Sequence, residues 1–118
     1  AKVVETATIM DGGIAISTCS KDMPNNMLIA AQAADSLLSI KGIQASFVLA
    51  ETPGGINISG RSLGQINVQL ILERIGGGGH LAVAGAQLKD ITMNEAVDKL
   101  TDSIYSYLDE IGADYSRS

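Results

Sequence analysis

Apolar and polar positions change period several times along the chain, and each change marks an expected element. "VVETATIM" (Val3 to Met10) and "GIAIS" (Gly13 to Ser17) are β-rich runs. Asp11-Gly12-Gly13 between them tolerates positive φ, so the pattern predicts a chain that enters a strand almost at once and turns through a hairpin. Asp11 is accordingly a turn residue. Asp22 and Pro24 stand as N-cap and first-turn proline of a helix, with Met27, Ala31, Ala34 and Leu38 at helical spacing until Lys41-Gly42. "ASFVLAE" (Ala45 to Glu51) has the unbroken apolar character of an interior strand. "GINISGRS" (Gly55 to Ser62) alternates, and Thr52-Pro53-Gly54-Gly55 joins the two as a turn.

From Asn67, "NVQLILERI" reads as a short helix with Val68, Leu70, Ile71, Leu72 and Ile75 largely buried, stopping where a run of glycines starts. A further strand is expected within Ala82 to Leu88. In the last helix, Thr92 and Glu95 form a capping box, and Val97, Leu100, Ile104, Leu108 and Ile111 mark the buried stripe. Asp98, Lys99, Asp102 and Asp109 form its solvated face. The expectation is a single α/β domain over residues 1–118, with a mixed β-sheet of about five strands and at least three helices.

Composition narrows the function classes. With 46% hydrophobic and 18% charged residues, the chain of 118 is globular, and no apolar run approaches the length of a bilayer span. The formal net charge of -5 argues against broad adhesion to DNA, RNA or anionic lipid, so any anion must be caught locally. Cys19 has no partner cysteine, which suits a reducing cytoplasm, and is read as a small buried hydrophobe. Because the chain opens at Ala1 without an initiating methionine, it is expected to be an excised part of a larger protein.

The chemical inventory is short. His80 is the single histidine and the aspartates fall in turns, caps and helix faces, so neither a two-metal phosphodiesterase centre nor a zinc site can be assembled. Ser62, His80 and an aspartate could be grouped as a triad, but nothing like a nucleophile elbow surrounds Ser62. "IGGGGHLAVAGAQL" (Ile75 to Leu88) lacks the Gly-Lys-Ser/Thr ending of a Walker loop and the spacing of a dinucleotide loop. Successive glycine N–H groups can converge on one anion, and His80 can add a side-chain bond. The plainer alternative is a helix C-cap and flexible connector, for which Gly76 alone would suffice. Arg61 and Ser62, at the end of a strand, suit bidentate phosphate contact and one further hydrogen bond. The alternatives are an ion-paired surface arginine, and a helix cap for Asn67.

The combined string "SGRSLGQINVQLILERIGGGGHLAVAGAQL" resembles the DHH-associated C-terminal (DHHA1) domain of bacterial cyclic di-AMP phosphodiesterases of the GdpP type. The match is concentrated in Arg61-Ser62, Gly64, Asn67-Val68, the glycine loop with His80, Ala84 and Gln87. The glycine-histidine element alone is shared with related exonucleases and oligoribonucleases. The resemblance implies that a separate DHH domain carries two manganese ions and that this domain supplies the substrate-binding wall. Arg61, Ser62, Gly77, Gly78, Gly79 and His80 would contact the nucleotide, with Asn67 and Gly76 as further candidates.

The parent enzyme would open cyclic di-AMP to linear pApA. It would be membrane-anchored, with this domain in the cytoplasm, and a homodimer of the parent is compatible with the family. This fragment holds no catalytic residue, metal or cofactor of its own and is expected to be inactive alone. Leu81-Ala82-Val83 after His80 departs from the more polar stretch expected in relatives. Two other readings stay open: an oligoribonuclease or exonuclease branch, and a non-catalytic nucleotide-sensing domain. Phe47, Tyr105, Tyr107 and Tyr115 are the only aromatics, which limits the base stacking an exonuclease path would need.

Overall fold

The computed structural model describes residues 2–112; Tyr115 lies outside the described residues. The elements are α1 (Lys2–Glu5), β1 (Thr8–Met10), β2 (Ile14–Cys19), α2 (Asn26–Leu37), β3 (Ala45–Thr52), β4 (Gly55–Ser62), α3 (Val68–Glu73), β5 (Gly78–Gly79), β6 (Val83–Lys89) and α4 (Met93–Glu110). The six strands form one sheet in the order β1-β2-β3-β4-β6-β5. Strands β2 and β3 are parallel and the other neighbours antiparallel. The parallel pair needs a long crossover, which α2 provides.

Helices cover both faces. On one, Ile14, Ile16, Phe47, Leu49, Ile56 and Ile58 pack against Val68, Ile71 and Leu72 of α3 and Ala96, Leu100, Ile104 and Leu108 of α4. On the other, Ala15, Cys19, Val48 and Ala50 pack against Ala30, Ala33, Ala34 and Leu37 of α2, with Val3 of α1 beside them. Alternation along β2 and β3 sends neighbouring residues to opposite cores, so a one-residue slip of either would exchange the two. Burial pushes the Cys19 thiol pKa up, consistent with its place in the second core.

The mixed α/β sheet is the expected one, and the sixth strand is part of the glycine run itself. Five expectations need correction. The run from Val3 to Met10 is not one strand: Lys2–Glu5 is a helical turn that buries Val3, whose carbonyl accepts the Ser17 hydroxyl at 2.5 Å. Long-range packing overrides local β-propensity there.

Helix α2 begins at Asn26, after Asp22 and Pro24, which lie in the preceding turns. Its Asn25 cap is left-handed and makes no side-chain cap bond. The Asn26 side chain instead anchors this end, donating to the Ser20 and Glu51 carbonyls at 3.1 and 2.6 Å. The buried face of α2 is also rotated. Alanines lie against the sheet while Met27 is 47% exposed, because small side chains let the helix approach closely, and Ser46 bridges the contact to the Ala34 carbonyl at 2.6 Å.

In α3, Leu70 is half-exposed; a helix of six residues has one inward face, taken by Val68, Ile71 and Leu72. At the end of α4, Ile111 is exposed because it is the C-cap residue, past the last turn that meets the sheet. The capping box of Thr92 and Glu95 forms as expected, at 3.2 and 3.0 Å.

Candidate functional site

Helix α2 covers the β2–β3 side of its sheet face, and beyond it the same face of β4 and β6 is open. Strand β4 alternates: Ile56, Ile58, Gly60 and Ser62 face the core, while Asn57, Ser59 and Arg61 face the open side. The register pairs Arg61 with Val83, Ser59 with Gly85, Asn57 with Gln87 and Gly55 with Lys89. Together with Gly76, Gly77 and Gly78 these residues line a cleft of about 670 Å³. Arg61 and the first three glycines, fifteen or more positions apart in sequence, are thus brought to one place.

Arg61 is held there at two points. Its Nε donates to Asp35 Oδ1 of α2 at 2.9 Å, and its Nη1 to the Gly60 carbonyl at 2.9 Å. With its side chain 17% exposed, the guanidinium is oriented and still has N–H groups to offer an anion. The ion pair expected of a surface arginine is present, and the same arginine lines the cleft.

The glycines have separate physical reasons. Gly76, at φ 96, closes α3 as a Schellman motif: its N–H bonds to the Glu73 carbonyl at 3.2 Å and the Gly77 N–H to the Leu72 carbonyl at 2.8 Å. At Gly77 a Cβ would lie 2.4 Å from the Gly85 carbonyl oxygen, and at Gly79 one would lie 2.6 Å from Ala84 Cα. Both are needed for β5 to lie against β6, where Gly78 pairs with Gly85 and Gly79 with Ala84. Gly78 has nothing within 4 Å of where a Cβ would stand. Of the four, it alone has no cap or packing contact that requires glycine.

The remaining candidates lie elsewhere. Ser62, one residue beyond Arg61, points to the opposite side of the sheet, is 6% exposed, and accepts the Gly64 N–H at 2.9 Å. His80 follows β5 with an exposed side chain, its backbone N–H donating to the Val83 carbonyl at 2.7 Å. Asn67 is the N-cap of α3, its Oδ1 accepting the Leu70 N–H at 3.1 Å and its own N–H donating to Tyr107 Oη at 3.0 Å. Asn57, Ser59 and Lys89 line the cleft without having been singled out. The alternation of "GINISGRS" already placed Asn57 and Ser59 with Arg61; only the pairing of β4 with β6 adds the other wall.

Among the described residues, no group of three or more His, Cys, Asp or Glu side chains could hold a metal ion. No helix among them is long and apolar enough to cross a membrane. What the cleft offers is an oriented guanidinium and a polar floor beside a glycine wall; the N–H groups of Gly76 and Gly77 are spent on the Glu73 and Leu72 carbonyls, so the expected convergence of successive glycine N–H groups is not formed there.

The chain is thus an α/β domain with a cleft lined by Arg61 and three glycines on an open sheet face. Residues 11–110 match the family model of the DHHA1 domain, and the chain belongs to that family. It is 51% identical over 107 residues, 90% of its length, to the cyclic-di-AMP phosphodiesterase PdeA of Listeria monocytogenes. It is 46% identical over 110 residues, 92% of its length, to the cyclic-di-AMP phosphodiesterase GdpP of Geobacillus thermodenitrificans. The chain spans 16% and 17% of the length of these relatives. Among solved structures, an exopolyphosphatase-related protein of Bacteroides fragilis superposes with a TM-score of 0.80 at 24% identity. That match covers 94% of this chain and 34% of the other, and shows the shared fold.

Proposed function

We propose that this chain is the substrate-binding domain of a phosphodiesterase that hydrolyses cyclic di-AMP to linear pApA. The observation that carries the reading is the convergence of Arg61 with Gly76, Gly77 and Gly78 on one cleft. The chain is similar to cyclic-di-AMP phosphodiesterases over about nine-tenths of its length, which supports the choice of substrate. Arg61 places its free N–H groups against non-bridging phosphate oxygens, and the Gly78 N–H region lets the phosphate approach the backbone without a side chain in the way. His80 and Gly79 do not line the cleft but follow Gly78 in the chain, and in this reading the exposed imidazole adds a contact from the β5 end. The Ser62 hydroxyl, fixed by Gly64, holds the backbone of the strand end from which Arg61 projects.

A DHH domain of the same parent, carrying two manganese ions, would face this cleft and supply the activated water. Hydrolysis adds that water across one phosphoester bond, giving one new phosphate end and one free hydroxyl. The contribution of this chain is to bind and orient the phosphates and to offset charge that grows on their oxygens. The parent is anchored in the bacterial membrane and carries this domain on its cytoplasmic side; it acts as a homodimer.

A second reading, action on short oligoribonucleotides, has one observation in its favour. The chain is 32% identical over 73 residues to the bifunctional oligoribonuclease and PAP phosphatase NrnA of Thermus thermophilus. Against it, Phe47 and Tyr107 are buried and Tyr105 lines a cavity on the α4 side, away from the cleft, so none of these rings can stack a base there.

The test is kinetic, in the parent enzyme with manganese. Arg61→Ala removes a charge-assisted contact of about 1.5–3 kcal/mol and is expected to lower kcat/KM on cyclic di-AMP by about 10- to 150-fold. His80→Ala is expected to cost somewhat less. Unchanged efficiency in both variants, or a parent that cleaves short oligoribonucleotides in preference to cyclic di-AMP, would overturn the proposal.

A further inference from the structure

The open face of β4 and β6 carries more than a phosphate site. Four residues along β4 from Arg61, at about 3.3 Å per residue, a second pair of side chains rises from the same floor. These are Asn57 and Gln87, directly opposite each other across the antiparallel ladder. Between them and Arg61 the floor is Ser59 opposite Gly85, the smallest pair on this face. Along the face run the Arg61 cation, a low step, two carboxamides and, beyond them, Lys89 opposite Gly55.

Asn57 and Gln87 also line a second cavity of about 450 Å³, which continues past them between the β3–β4 turn and α2. Met27, half-exposed at the start of α2, stands in its wall. Neither side-chain amide has a hydrogen-bond partner among the described residues. Two carboxamides thus stand unpaired where the cleft meets the second cavity.

Taken with the phosphate cradle on which this reading rests, the geometry points to Asn57 and Gln87 as the specificity residues that read the edge of an adenine base, with Met27 against the ring. A carboxamide pairs an acceptor with a donor, which matches the adjacent amino donor and ring-nitrogen acceptor of adenine. Guanine presents two acceptors along the corresponding edge, so one end of each carboxamide faces a like group. A site built to satisfy hydrogen bonds rejects a ligand that leaves them unmade more strongly than an apolar pocket can. The thioether of Met27 is polarizable and adapts to a flat ring. Arg61 and Asn57 stand four residues apart on β4, about 13 Å along the strand, and both line the cleft from the same face.

The experiment is an NMR titration of the chain, uniformly nitrogen-labelled, with three ligands: cyclic di-AMP, cyclic di-GMP and inorganic pyrophosphate. Pyrophosphate is expected to move the Arg61 Nε and Gly76–Gly78 resonances and leave the Asn57 and Gln87 side-chain NH₂ signals in place. Cyclic di-AMP is expected to move both sets, and to bind more tightly than cyclic di-GMP. Asn57→Ala and Gln87→Ala should each weaken cyclic di-AMP binding roughly tenfold and erase that preference, leaving the pyrophosphate titration unchanged. Backbone spectra of the variants report that the fold is retained. If cyclic di-AMP shifts Arg61 and Gly78 but neither amide, or binds the variants as it binds the parent chain, the base-reading inference is wrong and the phosphate cradle stands. If no ligand moves Arg61 or the glycines, the cradle itself is wrong and the inference falls with it.

Discussion

Arg61 and Asp35 tie the cleft to the neighbouring helix: Nε of the arginine, on β4, donates to Oδ1 of the aspartate, on α2, at 2.9 Å. Asp35 is 67% exposed, so the pair adds little to stability, and its consequence is orientation. With Nε occupied and Nη1 bonded to the Gly60 carbonyl, the guanidinium has few alternative rotamers. Asp35 acts on substrate only through Arg61. Asp35→Asn is expected to leave thermal stability within about 0.5 kcal/mol while raising KM for cyclic di-AMP in the parent enzyme and leaving kcat nearly unchanged. An equal fall in kcat would show instead that the ion pair matters in the transition state.

The glycine run separates into structural and open positions, and substitutions should follow that division. Gly77→Ala drives a Cβ toward the Gly85 carbonyl and should lower stability by about 1–3 kcal/mol, read as a fall in melting temperature. Gly78→Val meets open space and should melt close to the parent chain, while blocking a phosphate from the backbone. Loss of stability at Gly78 with unchanged substrate affinity would make the whole run a turn.

Tyr107 couples α4 to the entry of α3, because its Oη accepts the Asn67 N–H at 3.0 Å. Tyr107→Phe leaves that donor unpaired in a half-buried place and should destabilise the chain by about 1–3 kcal/mol in denaturant titration. Since α3 leads directly into Gly76, amide exchange in the glycine run should quicken in the same variant.

Acid stability should carry the imprint of the α4 capping box. The backbone N–H of Thr92, and next its hydroxyl, hold the Glu95 carboxyl below the usual carboxylate range. A depressed folded-state pKa contributes stability that is present above the unfolded value and is lost as pH falls through the folded one. Glu95→Gln should therefore flatten the decline of melting temperature on the acid side of the ordinary glutamate pKa, and leave the profile near neutrality unaltered in slope.

The chain by itself, given manganese and cyclic di-AMP, should show no turnover, since its described residues offer no cluster of metal ligands. Product formation that survives repurification and disappears in Arg61→Ala would reveal a catalytic centre within these residues.

Sequence alone determined the α/β class, because period-2 and period-3.6 patterns are local: β4 was legible to the residue, as were the Thr92 cap and the glycine stop of α3. It also singled out Arg61 and the glycine run, of which Arg61, Gly76, Gly77 and Gly78 line one cleft. Tertiary structure decided what local pattern cannot carry. Val3 became helical because its burial against α2 and β2 outweighs its β-propensity. Alanines displaced Met27 from the inner face of α2 because close approach to a sheet favours small side chains, which hydrophobic periodicity underweights. Ser62 was separated from Arg61 by the alternation of the strand on which both lie, and Asn57 gained Gln87 as its neighbour through the β4–β6 register. A register joins residues thirty positions apart, and no period within either segment specifies which pair will meet.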